Sequence, residues 1–223
     1  MIDLMMEEEN NTYNRDYIYF KVHFEDWKRP VYRLWWLIRA FIEVVLPIRL
    51  PKGSKILSIG AGLGQLEHYL SDFFGYEVYL IDISSSARNL NKKLFGKTNY
   101  YLATASKLPF SNNSFDLVLS YDTLEHLKKD ELDLALIEME RVLKPQMKIN
   151  MFHKITVLEE NEINMDSSHY TKWSSVKWQK WFEKRGWKTV KPTSHYIPIW
   201  TKRRISFLKV YGSFYLSKYG QAG

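Results

Sequence analysis

Ile56-Leu57-Ser58-Ile59-Gly60-Ala61-Gly62-Leu63-Gly64-Gln65 is the stretch whose reading decides the fold. A short strand-like run, Ile56–Ile59, ends abruptly in glycines at alternate positions. Glycines at such a point let the backbone turn sharply and approach a ligand, whose negative end can face the amides of a following helix. Leu66, Tyr69, Leu70 and Phe73 then recur at helical spacing. A glycine turn alone suits tight packing as well as ligand binding. Asp82 adds to it, because it closes the next strand 22 residues after Gly60. A carboxylate there can accept hydrogen bonds from both ribose hydroxyls. The spacing disfavours a nicotinamide or flavin cofactor. Their fingerprint needs glycine or alanine five positions after the first glycine, and Gln65 stands there.

Working outward, short apolar runs alternate with helical patterns. Glu77–Ile81 reads as a second strand and Ser84–Phe95 as a helix that Ser84 can cap. Asn99–Ala103 and Phe115–Ser120 read as strands three and four. A helix from about Asp130 to Leu143 places Leu132, Leu136, Met139 and Leu143 on one side, and Pro145 stops it. Met147–Phe152 reads as a fifth strand, Ser175–Arg185 as a helix closed by Gly186, and Trp187–Val190 as a sixth strand. This alternation predicts an α/β fold with a mostly parallel sheet and helices on both faces.

The composition narrows the chemistry. The sequence has 223 residues and no cysteine, which excludes disulfides, thiolate metal sites and a cysteine nucleophile and fits a reducing cytoplasm. The start, MIDLMMEEENN, lacks the pattern of a signal peptide. The most apolar stretch, Leu34 to Leu46, is broken by Arg39 and Glu43 and is too short to span a bilayer. Charge is uneven: residues 141–223 hold 16 Lys/Arg against 5 Asp/Glu, while residues 1–140 hold 16 against 20. The basic last third keeps nucleic acid and an anionic membrane surface in view as partners beside a plain solvated surface. The six histidines, at 23, 68, 126, 153, 169 and 195, are scattered, and no metal-ligand cluster is read from them. His68, within the first helix pattern, is expected to be exposed.

Five segments in order carry a resemblance. Ile56 to Gly64 is similar to the first motif of class I S-adenosylmethionine-dependent methyltransferases, and Val78-Tyr-Leu-Ile-Asp82-Ile-Ser84 to their second. Leu108-Pro109-Phe110 followed by Ser114-Phe115-Asp116-Leu-Val118 resembles the approach to their fourth strand. Tyr121-Asp122-Thr-Leu-Glu125-His126-Leu looks like the loop after that strand in the small-molecule, quinone-biosynthesis branch. Arg141-Val-Leu-Lys144-Pro145 resembles the approach to strand five. The match spans roughly residues 54–152.

The resemblance implies a three-layer Rossmann-like methyltransferase fold and S-adenosyl-L-methionine as cofactor. It also implies methyl transfer to a small-molecule or lipid-like acceptor. Gly60, Ala61 and Gly62 would wrap the methionyl half, Asp82 would hold the ribose, and Ile83 would pack on the adenine. Thr104, Ala105 and Ser106 would line the adenine edge, and Ser120 and Tyr121 would close the methionyl side. Ser58 and Thr104 depart from the family, which usually has acidic residues at these positions. Each hydroxyl still accepts a hydrogen bond without the charge, so a catalytically silent cofactor-binding module stays as an alternative. RNA methylation, favoured by the basic last third, is the other.

His126 is the candidate base for an acceptor that must lose a proton, since it follows strand four at the carboxyl edge of the sheet. The competing reading is a structural histidine satisfied by backbone or by Glu125. Asp122, His153 and His169 are candidate acceptor contacts, and no metal is called for. Residues 1–50 are expected to form a helical lid, with Trp35, Ile38, Ile42 and Val45 at helical spacing and Pro30 at the helix start. Residues 51–223 would form the methyltransferase domain, with 170–223 its last helix and terminal strands. Asp166 to Ser174 resembles the segment before the family's last helix, which contributes to acceptor pockets. The tail from His195 to Tyr219 mixes aromatics with Lys202, Arg203, Arg204 and Lys209. It reads as a late strand pair with inward aromatics, or as a base-stacking or membrane-facing surface.

Overall fold

The computed structural model describes residues 20–96, 99–145, 149–157, 168–196, 199–201, 204–206 and 210–218. Its strands are β1 (Lys55–Ile59), β2 (Glu77–Asp82), β3 (Tyr100–Leu102), β4 (Leu117–Tyr121), β5 (Met151–Thr156), β6 (Trp187–Tyr196), β7 (Ile199–Thr201), β8 (Arg204–Ser206) and β9 (Val210–Lys218). Its helices are α1 (20–26), α2 (Pro30–Arg39), α3 (Gln65–Asp72), α4 (Ser85–Phe95), α5 (Lys129–Val142) and α6 (Ser175–Glu183). The chain divides into two compact units, one of Met1–Gly53 with Ala61–Thr104 and one of Ser54–Gly60 with Ala105–Gly223.

In the first unit β2 and β3 pair in parallel, with Leu80 opposite Tyr100 and Asp82 opposite Leu102. Ser84 caps α4 as expected, its Oγ accepting the Ala87 N–H at 3.2 Å, and Gly96 ends the helix at φ 63°. Leu66, Leu70, Val78, Leu80, Ile81 and Ala87 are buried. Trp27, just after α1, anchors the N-terminal helices. Its ring meets Phe95 edge-on at 4.9 Å and also contacts His68 and Tyr69.

Two expectations change in this unit. His68 is not a plain surface residue: its ring stacks on Phe95 at 4.5 Å and its Nδ1 lies 2.9 Å from the Asp72 carboxylate. The expected apolar stripe after Pro30 is largely outward, with Trp35, Ile38 and Ile42 exposed by 40, 46 and 55%. The helix widens into a π turn over Ala40–Val45, and the buried residues there are Ala40, Glu43 and Val44. More residues per turn rotate the inward face away from the positions that α spacing predicts. The Arg39 guanidinium covers the Trp35 and Trp36 rings at 4.5 and 4.8 Å, which partly shields them.

In the second unit the strands run in the order β1, β4, β5, β9, β6. β1, β4 and β5 are parallel, and β9 is antiparallel to both its neighbours. Ile56, Leu57, Leu117, Val118, Leu119, Met151, Phe152 and Ile155 are all buried. Near-continuous apolar runs of this kind belong to parallel strands covered on both faces. α5 buries Leu132, Ala135, Leu136, Met139 and Val142 at helical spacing, and the Glu131 carboxylate accepts the Lys128 N–H at its start. α6 buries Trp178, Trp181 and Phe182, and Gly186 follows it at φ 82°.

The fifth strand starts at Met151 and runs on to Thr156, four residues beyond the expected end, because it pairs along its length with both β4 and β9. β6 likewise continues past Val190 to Tyr196 by pairing with β9, with a register shift between Thr189 and Lys191. The expected late strands are present: β7 and β8 pair antiparallel, and β9 buries Phe214, Tyr215 and Leu216. Met147, Asp166, Lys202, Arg203, Lys209 and Tyr219 lie outside the described residues. No helix among the described residues is long and apolar enough to cross a membrane.

Candidate cofactor turn and acceptor loop

The glycine turn is held from several directions within the first unit. Ala61 donates its N–H to the Ile81 carbonyl at 3.0 Å, and Gly64 donates to the Ala61 carbonyl at 2.9 Å. Asp82 uses both carboxylate oxygens, accepting the Gly62 N–H at 2.9 Å and the Ser84 N–H at 2.8 Å. The Tyr100 hydroxyl donates to the Gly62 carbonyl at 2.7 Å, and the Asn91 amide donates to the Leu63 carbonyl at 2.8 Å. Burial first, and the nearby Asp82 charge second, push the Tyr100 phenol well above its ordinary pKa, so it stays a donor.

Glycine is required at Gly64. Its φ is 74°, and a Cβ would fall 2.6 Å from Asn91 Nδ2 and 2.7 Å from Leu80 Cδ2. Gly62, at φ 54°, faces the Phe20 ring of α1, which a Cβ would meet at 3.3 Å. Asp82 is half-buried, Ile83 is 76% exposed, and Thr104 is exposed at the end of the unit.

In the second unit Ser58 is buried in β1 opposite Leu119, and Gly60 follows at φ 65°. A Cβ on Gly60 would come within 2.3 Å of Thr123 Oγ1, an atom that lies 3.1 Å from the Ile59 carbonyl and 2.8 Å from that of Tyr121. Ala105 is buried and Ser106 half-buried. Ser120 is fully buried, its Oγ 2.9 Å from His153 Nδ1. His153 has no exposed surface, and its ring stacks on Phe182 at 5.7 Å. Burial lowers its pKa to about 3, so it is neutral. The half-buried Tyr121 meets the Phe152 ring edge-on at 5.4 Å.

The loop after β4 turns sharply at Asp122, which adopts φ 46°, donates its N–H to the Lys154 carbonyl at 2.9 Å and accepts from the Thr156 hydroxyl at 3.4 Å. Leu124–His126 then form a single 3-10 turn. Glu125 is completely buried. Its Oε1 accepts the Thr156 N–H at 2.7 Å, and its Oε2 has no hydrogen-bond partner among the described residues. Burial, reinforced by the Asp122 charge, raises its carboxyl pKa to about 8. His126 is half-buried, with Nδ1 3.2 Å from the Ser168 carbonyl.

Two histidines that are 43 residues apart in sequence meet here. The His126 and His169 rings lie 4.6 Å apart, edge to face. Thr171 fixes the second segment against the loop, donating its N–H to the Glu125 carbonyl at 2.9 Å and its hydroxyl to the Leu127 carbonyl at 2.8 Å. The described partners of His153 are Ser120 and Phe182 instead. Sequence reasoning gave Glu125 no role except as a partner for His126. Its place beside a histidine is the local signal for it, whereas His169 is already a candidate acceptor contact in the segment before the last helix.

Parallel strands with intervening helices, a glycine turn after β1 and a carboxylate ending β2 define a Rossmann-like α/β architecture. Residues 57–149 match the methyltransferase domain family. Over that stretch the chain is similar to class I, Rossmann-like methyltransferase domains. Over 138 residues it is 32% identical to the ubiquinone/menaquinone biosynthesis C-methyltransferase UbiE of Psychromonas ingrahamii, covering 58% of this chain and 52% of that protein. Over 111 residues it is 29% identical to the phosphoethanolamine N-methyltransferase of Plasmodium falciparum, covering 48% of this chain and 42% of the relative. The chain thus spans about half the length of the curated relatives it matches. The Haemonchus contortus phosphoethanolamine N-methyltransferase 2, solved with phosphomonomethylethanolamine and S-adenosylhomocysteine, shares the fold. Its TM-score is 0.59 at 21% identity, over 71% of this chain and 39% of that one.

Proposed function

We propose that this protein is an S-adenosylmethionine-dependent methyltransferase acting on a small-molecule or lipid-like acceptor. The observation that carries the proposal is the seat of Asp82. Its carboxylate ends β2 and is held on both oxygens by the amides of Gly62 and Ser84. A carboxylate fixed in this way accepts ribose hydroxyls without first being ordered. Relatives named for small molecules, a quinone and phosphoethanolamine, support the acceptor class.

The cofactor supplies a methyl group already activated on a sulfonium. Bound here, it would give that methyl to an electron pair of the acceptor and leave as the thioether. The protein's work is to align the two partners and exclude water. We assign Ala61 and Gly62 to the methionyl half, Asp82 to the ribose, and Ile83 and Thr104 to the adenine. From the second unit we assign Ser58, Gly60, Ala105, Ser106, Ser120 and Tyr121 to the same cofactor. Asp122, His126 and His169 are assigned to the acceptor, while enclosure of His153 against Ser120 and Phe182 fits a framework role.

We read residues 1–50 as a cap on residues 51–223. The closeness of Phe20 to Gly62 supports this reading. A cysteine-free sequence supports a cytoplasmic setting. Calorimetry with S-adenosylhomocysteine tests the proposal. Saturable binding that Asp82→Ala weakens is expected, and no binding by the folded wild type would overturn it. Turnover on candidate acceptors then separates an enzyme from a silent cofactor-binding module.

A further inference from the structure

We propose that Glu125, His126 and His169 form a site for one divalent transition-metal ion of the zinc class. One ligand atom from each of the three side chains lies within 4.8 Å of the others. With bonds of about 2.1 Å, neighbouring ligands of a tetrahedral ion sit about 3.4 Å apart, so modest side-chain rotation closes the set.

The second observation is Glu125 itself. It is fully buried, and its Oε2 has no hydrogen-bond partner among the described residues while Oε1 is held by the Thr156 amide. A buried carboxylate oxygen left without a partner is costly, and a cation at that oxygen removes the cost.

The surrounding bonds suit a ligand set. If His126 donates its Nδ1–H to the Ser168 carbonyl, 3.2 Å away, Nε2 is left as the lone-pair donor. Metal-bound histidines are oriented by such a carbonyl. His169 is buried against the His126 ring, and the two Thr171 bonds hold its segment to the loop. Two imidazoles and one carboxylate suit zinc-like ions, whereas calcium and magnesium take oxygen ligands. Three protein ligands leave a position open for water or an oxygen donor of a small molecule. The site shares His126 and His169 with the proposed acceptor contacts, but zinc binding itself needs neither cofactor nor acceptor.

The test uses the full chain, stripped with a chelator and titrated with zinc chloride by calorimetry. One ion per chain is expected, with magnesium chloride failing to compete. His126→Ala, His169→Ala and Glu125→Gln should each weaken zinc at least about tenfold. His68→Ala, which removes a histidine of the other unit, should change nothing. Cobalt(II) should give visible absorption bands that either loop-histidine variant abolishes. Circular dichroism checks that each variant folds. If Glu125→Gln does not fold, the two histidine variants decide. Zinc binding that survives both histidine substitutions, or no zinc binding by the wild type, overturns the proposal.

Discussion

The turn at residues 60–64 and the loop at residues 121–126 achieve order by different means. In the turn the backbone amides and carbonyls are bonded by Asp82, Tyr100 and Asn91, and Gly64 leaves no room for a side chain of its own. In the loop the buried Glu125 carboxylate takes the Thr156 amide, His126 lies on the Ser168 carbonyl, and Thr171 bonds the backbone carbonyls of Glu125 and Leu127. A turn with no room for a Cβ at Gly64 tolerates no extra atoms there. A feature built on buried titratable groups tolerates volume changes better and responds to protons and cations. Substitutions in the two regions should therefore fail in different ways.

The largest effect is expected at Gly64. Gly64→Val should destabilise the protein by about 3 kcal/mol or more, combining left-handed backbone strain with overpacking. Gly96 has a similar φ of 63° but open space around it. Gly96→Ala should therefore lose only about 1 kcal/mol. Urea unfolding of the pair measures the difference. Equal losses would show that backbone angle alone, not the Asn91 and Leu80 contacts, makes the turn intolerant.

Next comes Asp82. Asp82→Ala should weaken S-adenosylhomocysteine about tenfold to a hundredfold, the scale of a lost charge-assisted pair. Asp82→Asn keeps an acceptor oxygen and should fall between that variant and the wild type. If Asp82→Ala binds as the wild type does, the carboxylate only orders the turn. The comparison of regions would then have no functional side.

What the sequence made legible follows the same division. Gly60, Gly62, Gly64 and Asp82 could be read because their constraint is local: a strand end, a turn and a spacing of 22 residues. Ser84 was equally readable as a helix cap. The meeting of His126 with His169 was not, because it depends on how a segment 43 residues downstream docks through Thr171. The outward stripe on α2 was missed for another reason. A π turn changes the period, and no residue type announces one. The fifth strand was displaced because its pairing with β9, a distant strand, sets its length more than its own apolar run does.

His153 sharpens the comparison through pH. Its folded pKa of about 3 lies below the unfolded value of about 6.5. Above pH 6.5 the histidine is neutral in both states. As pH falls below that, only the unfolded chain takes the proton, so stability declines by about 1.4 kcal/mol per pH unit toward pH 3. His153→Gln cannot titrate. The stability gap between wild type and variant should therefore shrink by about 2 kcal/mol between pH 7 and pH 5. Urea midpoints at both pH values check this, and a constant gap would show that water reaches the imidazole.

The smallest expected effect tests whether the seat of Asp82 depends on a side chain at all. The Ser84 Oγ caps α4 through the Ala87 amide, whereas the bond to Asp82 comes from the Ser84 backbone N–H. Ser84→Ala removes the first and leaves the second. Stability should fall by about 1 kcal/mol, the usual loss for an N-cap. Affinity for S-adenosylhomocysteine should stay within about twofold, because 0.4 kcal/mol or so is the scale of such a change. A loss of affinity as large as that of Asp82→Ala would mean that the cap, not the backbone, places the carboxylate. The seat of Asp82 would then rest on the Ser84 side chain as well as on the two backbone amides.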